Sequence, residues 1–186
     1  MQIITGKYRA RRLVSPEGES TRPTLARIKE SIFSILPLSF SGKVVLDLFA
    51  GSGAYGLECV SRGAEKVYLV DQSKQSINAI RKNALNMKED IEILENDCFE
   101  ALKKLQCRKV KLDYVFLDPP YKSDFGEKVL AFLESHDMLE KGGVIIYEHS
   151  NDKKLLPKLL KRYIIEKSRT YASIVVDFIT LENEGN

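Results

Sequence analysis

Residues 118–121, Asp-Pro-Pro-Tyr, have the types and spacing that suit chemistry on an exocyclic amine. They follow Val115, Phe116 and Leu117, a short apolar run that reads as a buried strand of parallel type. Two prolines then stop the ladder, because neither has a backbone N–H to donate. Asp118 and Tyr121 are thereby left at the carboxyl end of the strand, where open α/β sheets bind their ligands. The Asp118 carboxylate and the Pro119 carbonyl, with no competing amide at Pro120, offer acceptors for both hydrogens of a base NH2. Tyr121 offers a face on which the ring can stack. A solvated Asp in a proline loop uses the same residues, so the reading needs support from the rest of the chain.

Asp47-Leu-Phe-Ala-Gly-Ser-Gly-Ala-Tyr-Gly56 supplies it. Glycines allow a tight strand-to-helix turn and close approach of a ligand. Gly51, Gly53 and Gly56 match G-x-G-x-x-G, a pattern that fits a nicotinamide dinucleotide and S-adenosylmethionine (SAM) alike. Asp71, 20 residues after Gly51, ends the next strand, where a carboxylate can accept from both ribose hydroxyls. Asp47 separates the two cofactors: a carboxylate there suits the ammonium of SAM and would repel a pyrophosphate. Asp97, after a third strand, can accept from an adenine amino group with Phe99 flanking the ring. It would equally serve as a helix N-cap. Tyr55 is left undecided, and Glu58 reads as a structural partner of Arg62 at i+4.

The elements that must position these residues alternate. Strands are expected at Val44–Phe49, Lys66–Val70, Ile91–Leu94, Tyr114–Leu117 and Val144–Glu148. Helices are expected at Tyr55–Arg62, Lys74–Met87, Phe99–Leu105 and Glu127–Ser135. Repeated β–α units imply a parallel sheet. A basic helix at Asp152–Lys161 precedes Tyr163–Arg169 and Ser173–Leu181, which follow each other without a helix and so should form a hairpin. The expected fold is a Rossmann-like, doubly wound, mostly parallel seven-stranded sheet ending in an antiparallel hairpin. Before it, Gln2–Thr5 and Tyr8–Val14 suggest a small β-hairpin. Leu25, Ile28, Ile32 and Leu36 mark a helix with Thr24 as N-cap, ended by Pro37. One domain is expected, with residues 1–42 as a basic extension and 43–182 as the core.

The 186 residues are 44% apolar and 30% charged, as in an ordinary globular chain. No apolar run approaches the roughly 18 residues of a membrane span. Cys59, Cys98 and Cys107 show no C-x-x-C spacing, and with only His136 and His149 beside them no zinc site is expected. Free thiols fit a reducing, cytoplasmic setting. Net charge is +3, but unevenly spread: residues 1–43 hold eight Lys/Arg against three acids, while the rest holds 21 against 23. A basic arm on a near-neutral body is the footprint of a phosphate-rich partner. Arg22 and Arg27 sit near a helix start, where the dipole disfavours cations, so an anion is the better reason for them.

The chain resembles the RsmD-like family of class I SAM-dependent methyltransferases. The likeness runs through Ile-Ile-x-Gly-x-Tyr-Arg at the start, Thr-Arg-Pro-Thr at 21–24, Asp-x-Phe-Ala-Gly-Ser-Gly at 47–53 and Asp-Pro-Pro-Tyr. The resemblance implies methylation of a guanine N2 in 16S ribosomal RNA, free or in a small-subunit assembly intermediate. It implies SAM-binding positions at Phe49, Gly51, Ser52, Gly53, Asp71, Asp97 and Cys98; Asp47 and Gln72 complete the expected set. Arg22, Pro23 and Thr24 fall in a signature beside the active site. RNA contacts are expected from Arg9, Arg11, Arg12, Arg22, Thr24, Arg27 and Lys122, with Asp118, Pro119, Pro120 and Tyr121 at the chemistry. The family commonly has Tyr-Gly where this chain has Tyr171-Ala172, which puts the last hairpin turn in question. Adenine-N6 methylation of DNA or RNA would use the same residues. An NAD-dependent oxidoreductase lacks a hydride-transfer acid here, and a non-catalytic RNA-binding module has no reason to keep Asp47, Asp71 and Asp118.

Overall fold

The computed structural model describes residues 1–18, 23–120, 124–152 and 161–182. The expectations for Arg22, Tyr121, Lys122 and most of a helix at 152–161 lie outside these residues. The chain forms two compact units, Met1–Cys98 and Phe99–Asn186.

The first unit holds α1 (Pro23–Ile35), β1 (Val44–Leu48), α2 (Ala54–Ser61), β2 (Lys66–Asp71), α3 (Lys74–Ala84) and β3 (Ile91–Glu95). The strands pair in parallel in the order β3-β2-β1, with Asp47 opposite Leu69 and Val67 opposite Ile91. β1 and β2 are near-continuous apolar runs and are buried along almost their whole length, as strands covered on both faces must be. Helix α2 lies so close to the strands that a Cβ on Gly56 would come within 2.3 Å of Leu69 Cδ2. The third glycine of the motif therefore serves helix–strand packing.

The second unit continues α4 (Cys98–Cys107) and adds β4 (Leu112–Leu117), α5 (Phe125–Ser135), β5 (Leu139–Ser150), β6 (Tyr163–Tyr171) and β7 (Ile174–Leu181). β4 and β5 are parallel, whereas β5–β7 and β7–β6 are antiparallel, giving the order β4-β5-β7-β6. The seven strands, the parallel pairings and the closing hairpin agree with the expected architecture. Ala172 in the hairpin turn takes φ 52°, the left-handed conformation for which glycine is the easy residue. The turn forms despite the missing glycine.

Several expectations need correction. Helix α1 opens at Pro23, so Thr24 lies inside the first turn and is not the N-cap. Proline suits that first position because its missing N–H has no helical acceptor. The amino-terminal segment bends back on itself, with Ile3 N–H donating to the Arg11 carbonyl and Ala10 N–H to that of Ile3. Only one bridge, Gln2–Arg12, forms, so it is a looped segment and not a two-stranded hairpin. Ala10 at φ 65° interrupts the extended backbone that a ladder needs. Helix α3 ends at Ala84, short of Met87, because Leu85 turns to ψ 132° and Asn86 to φ 65°. Strand β5 begins five residues before Val144; its register against β4 jumps between Leu112 and Tyr114, leaving Gly142 and Gly143 in the irregular stretch.

Candidate functional site

In the first unit, the carboxyl ends of the parallel strands carry the carboxylates the sequence singled out. Asp71 is the last residue of β2. Its Oδ2 accepts from Gly51 N–H at 2.9 Å and its Oδ1 from Ser73 N–H at 2.8 Å. A carboxylate oxygen has two lone-pair directions, so both oxygens can accept one bond more. Gly51 takes φ 55°, and a Cβ built on it would meet no atom within 4 Å. The loop at Gly51 is thus open to a ligand beside an anchored carboxylate. Its turn is closed by Gly53 N–H donating to the Ala50 carbonyl at 2.6 Å, while Ala50 N–H donates to that of Val70 at 2.9 Å. Phe49 adopts φ 72°, a conformation rare for a bulky residue and concentrated at ligand sites. Nothing in the sequence signalled that strain.

Asp47 is 2% exposed, and its Oδ2 accepts from Gly56 N–H at 2.9 Å. The carboxylate therefore braces the start of α2, where the helix dipole favours a negative charge. The sequence expected an ammonium contact from Asp47; the bond the structure shows is this loop-fixing one. Gln72 is exposed beside Asp71, whereas Asp97 is half-buried directly before α4 and Cys98 is buried as the first residue of that helix. Asn96 N–H donates to the Asp71 carbonyl at 3.2 Å, tying the segment before Asp97 to the end of β2.

Asn83, which sequence reasoning missed, holds the loop from the other side. Its Nδ2 donates to the Ser52 and Val14 carbonyls, both at 2.9 Å, and its Oδ1 accepts from Val14 N–H at 2.8 Å. A polar residue on the inner face of an otherwise amphipathic helix was the only available signal.

Glu58 is structural, as expected, but its reach is wider than Arg62. Its carboxylate is fully buried and accepts from Ile4 N–H at 2.7 Å, Thr5 N–H at 3.0 Å, Arg62 Nε at 3.1 Å and Lys29 Nζ at 3.0 Å. Burial lowers the pKa of Lys29, and the neighbouring Glu58 opposes that shift. Ser61 adds to the attachment, accepting from Tyr8 N–H at 2.9 Å through its Oγ. The basic arm is therefore fastened to α2, the helix that the glycine loop begins. Of its cations, Lys29 is consumed in this cluster. Arg11 is half-buried, donates to the Leu85 carbonyl and lies 5.8 Å from the Tyr8 ring centre. Arg9, Arg12 and Arg27 are exposed, as is Thr24.

In the second unit, β4 ends at Leu117 and Asp118 follows it, half-buried, with Pro119 buried and Pro120 exposed. Burial pushes the Asp118 carboxyl up from 3.8 to about 7. The sequence reading did not require such a shift. Phe99, expected to flank an adenine, has its ring centre 6.2 Å from that of Phe125 and 6.4 Å from that of Phe132. Among the described residues, no group of three or more His, Cys, Asp or Glu could hold a metal ion. None of the described helices is long and apolar enough to cross a membrane.

Residues 1–180 match the family model described as conserved hypothetical protein 95. The chain belongs to that family. It is 35% identical over 173 residues to YlbH of Bacillus subtilis, covering 92% of this chain and 94% of YlbH. It is 34% identical over 159 residues to the ribosomal RNA small subunit methyltransferase D of Haemophilus influenzae, covering 84% of this chain and 82% of that protein. Among solved structures, a hypothetical protein of Thermus thermophilus, TTHA0928, superposes with a TM-score of 0.80. That superposition covers 97% of this chain and 99% of the other at 24% identity, and it shows that the two share a fold.

Proposed function

We propose that this protein transfers a methyl group from SAM to the exocyclic N2 amine of a guanine in 16S ribosomal RNA, free or in a small-subunit assembly intermediate. The observation that carries the cofactor half is the Asp71 carboxylate, fixed by two backbone amides next to an open Gly51. That arrangement fits a ribose diol over a glycine loop. The name borne by the Haemophilus relative supports ribosomal RNA as the substrate class. The guanine amine is supported by the chemistry of Asp118 and Pro119.

When bound, SAM supplies a methyl group on a sulfonium, which is its own leaving group. The remaining work falls to the chain's side chains and backbone, and it is chiefly alignment. Asp71 holds the ribose, with Gly51, Ser52 and Gly53 forming the close-approach loop and Asp97 accepting from the adenine amine. The Asp118 carboxylate and the Pro119 carbonyl accept the two N–H bonds of the guanine amine. Drawing on those hydrogens frees the nitrogen lone pair from the ring and stabilises the positive charge that develops. With its pKa near 7, Asp118 is also matched to take the proton the nitrogen sheds. Tyr121 stacks on the base, and Arg9, Arg12, Arg22, Arg27 and Lys122 hold RNA phosphates. RNA bases are read mostly when unpaired, so the guanine is presented unstacked. The setting is the cytoplasm.

The test is calorimetry with SAM and NAD on the wild type and Asp71→Ala. The wild type should bind SAM and not NAD, and the variant should lose about 1.5–3 kcal/mol of SAM affinity, the range for hydrogen bonds to a charged group. Tight binding of NAD with none of SAM would overturn the reading.

A further inference from the structure

The amino-terminal segment and α1 border an open cavity of about 350 Å³, with Arg12 on one side and Glu30 on the other. We propose that it binds one unpaired nucleotide of the RNA that flanks the target base, with Glu30 reading the base edge and Arg12 holding the phosphate. This rests on the RNA-methyltransferase reading above and adds to it a second, sequence-reading contact.

The size suits a single nucleotide, since it lies near the lower end of the roughly 300–1,000 Å³ range of small-ligand sites. Its polarity selects the kind of occupant. Met1, Ile4, Leu13 and Ala26 give an apolar surface for a base. Lys29 is a wall residue only: it is 1% exposed, and its ammonium is taken by Glu58 at 3.0 Å and the Gln2 carbonyl at 2.9 Å. The exposed charges are Arg12 on the amino-terminal segment and Glu30 on the helix, one turn after Ala26 on the same face of α1. A free anion or an acidic peptide would be drawn by Arg12 and repelled by Glu30. A nucleotide carries the matching pair of features, an anionic phosphate and a base with N–H donors. Guanine suits Glu30 in particular, because its N1–H and N2–H lie side by side and a carboxylate accepts both. A guanidinium pairs with a phosphate through two parallel bonds. The cavity also lies in the segment that carries the chain's excess positive charge.

The test uses the full chain and fluorescein-labelled single-stranded uridine nonamers with a fixed central guanine and a second guanine at one flanking position, moved from position to position across the set. Each flanking guanine is replaced in turn by inosine, which keeps the ring and N1–H and lacks the N2 amine, and affinity is read by anisotropy at low salt. Wild type should lose about tenfold at one flanking position and little at the others, the effect of one lost bond to a charged acceptor. Glu30→Gln should abolish that dependence, and Arg12→Ala should weaken all nonamers alike and lower the salt slope by about 0.7. Equal affinities at every position in wild type would overturn the proposal, as would a preference that survives in Glu30→Gln. Transfer of tritiated methyl to small-subunit RNA, measured in parallel, separates the two readings. Flat nonamer affinities with intact transfer overturn the pocket alone, and absent transfer overturns both.

Discussion

Replacing Asp118 by Asn should make the protein more stable while removing its activity, and the gain should depend on pH in a calculable way. The folded state holds the Asp118 proton up to about pH 7, whereas the unfolded chain releases it near 3.8. Well below pH 3.8 both states are protonated and the residue costs nothing. As pH rises from there towards 7, the unfolded state loses its proton first, so folding stability falls. Linkage puts that loss at about 1.7 kcal/mol at pH 5 and about 4.3 kcal/mol at pH 8, as ceilings for a half-buried group. Asparagine has no proton to lose. Asp118→Asn should therefore exceed wild type by a margin that widens by up to about 2.6 kcal/mol between pH 5 and pH 8. Urea unfolding at the two pH values measures this, with the slope in denaturant as a check that the unfolded states are comparable. Single-turnover methyl transfer by the same variant should slow by the equivalent of about 3–4 kcal/mol in activation free energy, with SAM affinity little changed. A stabilising substitution that kills turnover marks a carboxylate kept for chemistry at a cost in stability. A margin that is equal at both pH values would refute the argument, because it would mean that burial does not hold the proton on Asp118.

Other perturbations test the supports. Glu58→Gln, which leaves Lys29 and Arg62 buried without their counter-charge, should cost about 3–5 kcal/mol in denaturant unfolding, the range for breaking a buried ion pair. Ala172→Gly should raise stability by about 0.5–1 kcal/mol in thermal or urea unfolding, because the residue already sits at φ 52° and the left-handed penalty outweighs glycine's entropy. Charge reversal at Arg9 and Arg12 should weaken RNA binding and lower its salt slope by roughly 0.7–0.9 per contact, with calorimetric SAM affinity unchanged. Arg11 is left out of that variant because its guanidinium helps to fasten the arm at Leu85.

The strand–helix alternation was legible because β1 and β2 are near-continuous apolar runs, broken only by Asp47 and by the charged ends of β2, and the glycines punctuate one turn between them. The strand-end positions of Asp71 and Asp118 followed from the same pattern. What stayed hidden was long-range or conformational. The four bonds to Glu58 join residues 4, 5, 29 and 62, and only the last lies at a helical spacing that a sequence displays. Asn83 reaches Ser52 across 31 residues, and side-chain amides carry no periodicity that foretells a partner. The left-handed backbone at Phe49 and Ala10 contradicts local propensity, so local propensity could not announce it. The same holds for Thr24: its type suits a cap, but Pro23 can enter the first turn without losing a bond, and the helix starts there.

One reaction product tests the proposed methyl transfer most directly. Purified protein, SAM carrying a tritiated methyl group and small-subunit ribosomal RNA from a strain lacking this protein should be incubated together, and the RNA digested to nucleosides. The label should co-migrate with N2-methylguanosine, and Asp118→Asn should release almost none of it. Label in N6-methyladenosine, or none in RNA although SAM binds, would contradict the account.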